Sequence, residues 1–231
     1  RKDWAIIIVA AVLMGITRKV MMMYGLSRTS PIDGSIIATT SPLIVLIVST
    51  LAGIERLSIR KVLGLIIGFT GAVAVVITSN SASHIHSEMW GNIMMICSGT
   101  VTAIYMVFFK RLVAKYRITT LLRAIYTISA VVMFPIGIKS VVESNFVGMD
   151  THLWLAAAFV LVVPTYLPNL LLNYSLRYLQ PTVSSTYTYI QPVLAVALSV
   201  AMGLDKLHID TMLFALVLFA GVWMVLSSYK K

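Results

Sequence analysis

The chain has 231 residues, of which 59% are hydrophobic and only 11% charged, with a formal net charge of +10. A soluble domain carries about 25% charged residues, so this composition excludes a water-covered surface for a fold of this size and makes lipid the solvent for most of its outside. The single cysteine, Cys97, excludes a disulfide framework and a cysteine-based metal site.

A helix crosses the bilayer with roughly 20 apolar residues, and eight such runs follow one another. The first, Trp4–Tyr24, carries Arg18 and Lys19 deep in its length. The second, Ser35–Ile54, places Ser35, Thr39 and Thr40 before Pro42. The third is Val62–Ser79. The loop after it holds His84 and His86, two histidines without further ligands, which read as a solvated loop rather than a metal site. The fourth, Met89–Phe109, has Ser98, Thr102 and Tyr105 on one helical face. Ile118–Ile138 is the fifth. The sixth, Leu153–Leu176, has Tyr166, Asn169 and Asn173 on one face, with Pro164 and Pro168 loosening the backbone beside them. The seventh, Val183–Leu204, carries Ser184, Tyr187, Thr188 and Gln191 before Pro192. The eighth is Thr211–Tyr229. The runs do not alternate, which argues against β-barrel strands, and the links are too short for a soluble domain. The class is an all-α polytopic membrane protein.

The excess of positive charge would suggest nucleic acid in a soluble protein. Here it follows membrane topology. With the N-terminus in the cytoplasm, 13 Lys and Arg fall inside and three (Arg28, Lys139 and Lys206) fall outside. Both termini are therefore expected to be cytoplasmic.

Residues 24–76 align with 174–226 at a constant offset of 150, without a gap. Among the identical pairs are Pro31/Pro181, Pro42/Pro192, Gly53/Gly203 and Gly71/Gly221. Spans one to three thus match spans six to eight. Five spans separate the second from the seventh, an odd number, so the second copy is inverted in the membrane. Inverted repeats mark secondary transporters, with a substrate site near the midplane. The second copy has five helices and the first has three, which predicts two further helices before Trp4 and ten spans in a complete protein.

Ser30-Pro31 through Thr40-Ser41-Pro42, Gly53-Ile54-Glu55-Arg56-Leu57 and Gly64, Gly68 and Gly71 resemble the EamA-type drug/metabolite transporter superfamily. So do Tyr189-Ile190-Gln191-Pro192 and Gly203-Leu204-Asp205-Lys206-Leu207 in the second copy. The resemblance implies a ten-helix inverted-repeat fold. Residues 1–80 would be a first half lacking two helices, and residues 88–231 the second half. It further implies a central cavity lined by the first, second, fourth, sixth and seventh spans, with the third and eighth at the periphery. Asp205 stands where the family usually has Glu. Arg18-Lys19 stand where polar amides are more usual, so a typical substrate does not follow.

Arg18 and Lys19 admit two readings. Each cation costs about 2.5–3.5 kcal/mol near the bilayer centre, which favours a cavity position facing an anionic group. Snorkelling to the outer headgroups, beside Tyr24, is the other. The expected substrate-binding residues are Arg18, Lys19, Thr39, Tyr105, Tyr166, Asn169, Asn173, Tyr187 and Gln191, with Pro42 and Pro192 as hinges. For the polar residues the rival reading is helix–helix hydrogen bonding, and for the prolines a static bend. Glu55-Arg56 and Asp205-Lys206 sit at equivalent span ends, where the carboxylates are expected to cap the next helix or pair with neighbours. No phosphate loop, mid-span carboxylate or nucleophilic triad is visible.

The expected function is secondary transport, by alternating access, of an amino-acid-like or anionic small metabolite, as an exporter in a bacterial inner membrane. No enzyme activity, cofactor or metal is expected. The partners are the metabolite and the bilayer, not nucleic acid. The alternatives are a non-transporting structural or receptor subunit and a membrane-embedded enzyme.

Overall fold

A computed structural model describes residues 2–29, 31–78, 88–143, 150–202 and 209–229. His84, His86, Gly203, Asp205 and Lys206 lie outside them. Every regular element among the described residues is helical. Six helices are long and apolar enough to cross a membrane: Asp3–Leu26, Asp33–Leu51, Ile59–Ile77, Met89–Phe108, Ile118–Ile138 and Thr151–Tyr178. They coincide with the first six expected spans. The seventh is interrupted, and the eighth is the shorter apolar stretch Met212–Ser227.

The helices, in chain order, are α1 (Lys2–Ala10), α2 (Arg18–Leu26), α3 (Pro31–Thr39), α4 (Ser41–Leu51), α5 (Ile59–Thr78), α6 (Met89–Phe108) and α7 (Lys110–Lys115). They continue as α8 (Ile118–Glu143), α9 (Thr151–Val160), α10 (Leu167–Tyr178), α11 (Pro181–Ser185), α12 (Ile190–Ala201) and α13 (Ile209–Ser227). The chain divides into two compact units that do not follow the sequence repeat: residues 1–17 with 109–179, and residues 18–108 with 180–231.

In the first unit a widened π turn, Ala11–Thr17, follows α1, and a second, Leu161–Tyr166, joins α9 to α10. Their starts differ by 150 residues, so the offset found in the sequence reaches upstream of Tyr24. Different residues stabilise the two turns. In the second, Pro164 has no N–H to offer the carbonyl of Val160, and the Thr165 hydroxyl donates to it instead at 2.9 Å. In the first, the Ser129 hydroxyl of α8 shares its one hydrogen between the Ile125 carbonyl at 2.8 Å and the Ala11 carbonyl at 3.2 Å. It stands where a Cβ on Gly15 would be, so only glycine lets α8 come so close. At the end of this unit Asp3 accepts from Lys115 and, at 2.7 Å, from the Tyr116 hydroxyl. The bond to Asp3 raises the Lys115 ammonium above its ordinary range.

The second unit is built on α5 and α13. A Cβ on Gly71 would lie 2.6 Å from the Leu218 nitrogen, and one on Gly221 would lie 2.3 Å from the Gly68 nitrogen. Under the 150-residue offset these are one contact made twice, as a two-fold axis between the helices requires. Leu65, Ala72, Leu218, Val222 and Val225 fill the seam, and Tyr189 packs into it. The Tyr189 hydroxyl donates to the Leu65 carbonyl at 3.0 Å. The other faces of these helices are exposed, through Leu63, Ile66, Leu216 and Trp223, as lipid-facing helices are.

Candidate substrate cleft

The second and seventh expected spans are both broken near their prolines. The second is interrupted at Thr40, between α3 and α4, where the backbone stays in the right-handed helical region, with Pro42 in the first turn of α4. The seventh passes from α11 through a tight 3-10 turn, Thr186–Tyr189, into α12, with Pro192 in its first turn. Proline is tolerated there because the first-turn N–H groups have no helical partner. Nearby hydroxyls take up carbonyls at the breaks: Thr39 donates to Ile36, Thr40 to Ile37 and Thr188 to Ser185, at 2.7, 2.7 and 2.9 Å.

The breaks face two adjoining clefts within the second unit, of about 340 and 150 Å³. The larger runs between Leu26, Ser35, Thr39, Thr188, Gln191 and Pro192. The smaller runs between Arg18, Thr40, Ser98, Thr102, Tyr187 and Gln191. Ala38, Met95, Thr188 and Gln191 line both, which makes them neighbouring parts of one space. Arg18 is the one charged side chain on either wall among the described residues. Its helix is held against α6 by the Ser98 hydroxyl, which donates to the Arg18 carbonyl at 3.1 Å. Its guanidinium reaches along the wall to 4.0 Å from the Met22 sulfur. The arrangement offers one cation, a phenol, an amide and several hydroxyls to a ligand on an otherwise apolar surface.

Of the residues expected from sequence, the structure brings Arg18, Thr39, Tyr187 and Gln191 to this space, with Pro192 on its wall. Pro42 is buried at the start of α4. Lys19 is half-buried and lines neither cleft, and Tyr105 is packed away at 1% exposure. Tyr166, Asn169 and Asn173 belong to the first unit. There the Asn169 amide donates to the Tyr126 hydroxyl at 2.9 Å and to the Thr165 carbonyl at 2.7 Å. Asn173, 1% exposed, donates to the Asn169 carbonyl at 2.7 Å. Tyr166 lies against Tyr126, with ring centroids 6.2 Å apart. These donors serve the backbone beside the second π turn. Met22 and Met95 were not anticipated, because a methionine on a cleft wall has the same sequence signature as one facing lipid.

Glu55 follows the second of its two expected roles and pairs with neighbours. It is 6% exposed and accepts from the Lys61 ammonium at 3.3 Å, the Thr182 backbone N–H at 3.1 Å and the Tyr229 hydroxyl.

The model of the EamA-like transporter family matches residues 1–77 and 89–227. The chain is 28% identical over 188 residues to the uncharacterized transporter YyaM of Bacillus subtilis, covering 79% of this chain and 60% of that protein. It is 24% identical to an uncharacterized transporter of Archaeoglobus fulgidus, covering 83% of this chain and 66% of that one. With the uncharacterized inner membrane transporter YedA of Escherichia coli K12 it shares 24% identity, covering 84% and 62%. The chain thus spans less than two thirds of the length of the first of these relatives. A crystal structure of a protein only 15% identical superposes with a TM-score of 0.76, covering 97% of this chain and 76% of that one, which fixes the fold. Its helices, its comparisons and its lipid-facing surface agree: this is an integral membrane protein that belongs to the EamA-like transporter family.

Proposed function

We propose that the chain is the greater part of a secondary transporter that moves a small amino-acid-like or anionic metabolite by alternating access. The cleft beside Arg18 is its binding space. The observation that carries this reading is the placement of Arg18 with Tyr187 and Gln191 around one space. In a low-dielectric setting a guanidinium forms a two-pronged, charge-assisted pair with a carboxylate or phosphate. Tyr187 gives the apolar part of such a ligand a flat surface, and Gln191 and Thr39 set its orientation. The interruptions at Thr40 and at Thr186–Tyr189 are where the helices bend as the space changes sides. The two copies, residues 1–80 and 88–231, are the halves that move, and export from the cytoplasm is the direction.

The test is flux through the full polypeptide in proteoliposomes, with a panel of amino acids and anionic metabolites. Arg18→Ala is expected to lower flux of the transported anion about tenfold or more, the effect of one charge-assisted bond, and Arg18→Lys to restore it in part. Undiminished flux in Arg18→Ala would remove the assigned site. No flux of any member of the panel through folded protein would remove the transport reading.

A further inference from the structure

The mechanism above leaves unused the buried charge at Glu55. Its position comes from the turn that ends α4. Gly53 has φ +66°, a conformation open to glycine at little cost. The Gly53 N–H donates to Thr50 at 3.0 Å and the Ile54 N–H to Ser49 at 2.9 Å, the paired bonds of a glycine-terminated helix. The chain reverses, and Glu55 returns over the end of α4, its own N–H bonded to the Ser49 carbonyl at 3.2 Å.

The partners of that carboxylate come from both sequence copies. Lys61 belongs to the first. It also donates to the Arg56 carbonyl at 3.2 Å and lies 3.9 Å from the centre of the Tyr229 ring. Thr182, in α11, and Tyr229, after α13, belong to the second. Burial and the adjacent carboxylate hold the Tyr229 phenol above its ordinary range, so it stays protonated and donates. A buried carboxylate is retained only when its partners replace water, and this one has three. Between α4 and α11, by contrast, the buried hydroxyls of Ser49 and Ser184 have no hydrogen-bond partner among the described residues. Glu55 itself reaches α11 through the Thr182 N–H. Both helices run from Glu55 to the cleft: α4 begins at its Thr40–Ser41 wall, and α11 leads through Thr186–Tyr189 to Tyr187 and Gln191.

We propose that Glu55 is a latch between the two copies: a positioning residue that closes the α4–α11 seam at one end of the cleft and releases it when that end opens. Its carboxylate pins the start of α11 to the end of α4. With it in place, the walls carrying Thr40, Tyr187 and Gln191 are held together. When the bonds to Thr182 and Tyr229 part, the seam loses this tie and opens.

The latch depends on the transport reading for what the seam opens onto, but its test needs no substrate. Ser184, 4% exposed in the seam, is replaced by cysteine in a Cys97→Ser background, and its reaction with a membrane-impermeant maleimide is followed in proteoliposomes. Native Cys97, on α6, is followed separately as a control. Glu55→Gln is expected to speed labelling at position 184 about tenfold or more, as local opening replaces a charge-assisted closure, and to leave Cys97 labelling unchanged. Unchanged labelling at 184, or a parallel rise at both positions, overturns the latch. Should Glu55→Gln fail to insert, Tyr229→Phe decides. It keeps the charge and removes one donor, so a smaller rise at 184 alone is expected and no rise overturns the proposal. Fast labelling with no flux in the intact protein would leave the latch and remove the transporter.

Discussion

Gly221 is a residue whose role lies in what it lacks. Its Cβ would fall 2.3 Å from the Gly68 nitrogen and 2.7 Å from the Gly64 carbonyl oxygen, both backbone atoms that cannot turn aside. Gly221→Val is therefore expected to force α5 and α13 apart and cost about 1–3 kcal/mol, the range for overpacking. Gly137 of α8 is the control. A Cβ there meets nothing within 4 Å, so Gly137→Ala should be neutral or gain a fraction of the roughly 1 kcal/mol by which alanine exceeds glycine in a helix. Unfolding midpoints in detergent separate the two, and equal midpoints would mean the α5–α13 approach is not tight. The sequence carried Gly71 and Gly221 as a repeat pair, matched at the 150-residue offset and in register, but not as a contact. It did not carry the partners of Glu55. A carboxylate at a span end has many solvated ways to be satisfied, and Thr182 contributes through a backbone N–H that no side-chain pattern records.

At the scale of an element, each interruption of a helix is accompanied by a hydroxyl that bonds a nearby carbonyl. The Thr165 hydroxyl serves a carbonyl to which Pro164 cannot donate. Thr165→Val is expected to cost about 1 kcal/mol, an ordinary net hydrogen bond. In a Pro164→Ala background the regained N–H should make most of that cost vanish. A double-mutant cycle reads the difference, and equal costs in the two backgrounds would disprove the repair. Periodicity located the helices, and prolines flagged three of the interruptions, with Pro42, Pro164 and Pro192 at or beside them. The π turn at Ala11–Thr17 was illegible for a physical reason: it contains no proline, and its stabilising donor, Ser129, lies more than a hundred residues away. The polar stripe of the sixth span was legible as a stripe, with ligand binding and helix–helix bonding both open to it. Asn169 and Asn173 turn the same face to Tyr126 and the local carbonyls that they would have turned to a ligand.

For the whole molecule, the distribution of Lys and Arg predicts that both ends of this chain face the cytoplasm. Epitope tags at the two ends are expected to react in inside-out vesicles and to be protected in right-side-out ones. Tags on opposite sides would require an odd number of crossings and would break the inverted relation between the copies. The membrane class and family were legible because hydropathy and a repeat of motifs extend over most of the chain. The division into compact units was not, since each unit draws segments from both copies.

The π turn at Leu161–Tyr166 also bears on how this chain would respond to a change of length. Such a turn holds about one residue more than an α turn does, so it is what a single insertion leaves behind in a helix. Removing one residue there would restore ordinary spacing and swing all that follows by about 100°. Asn169 would leave Tyr126, and a residue now turned to lipid would take its place. The hydropathy of the segment would hardly change, and it would still insert. A deletion that composition scarcely registers would exchange the lipid face of the helix for its protein face.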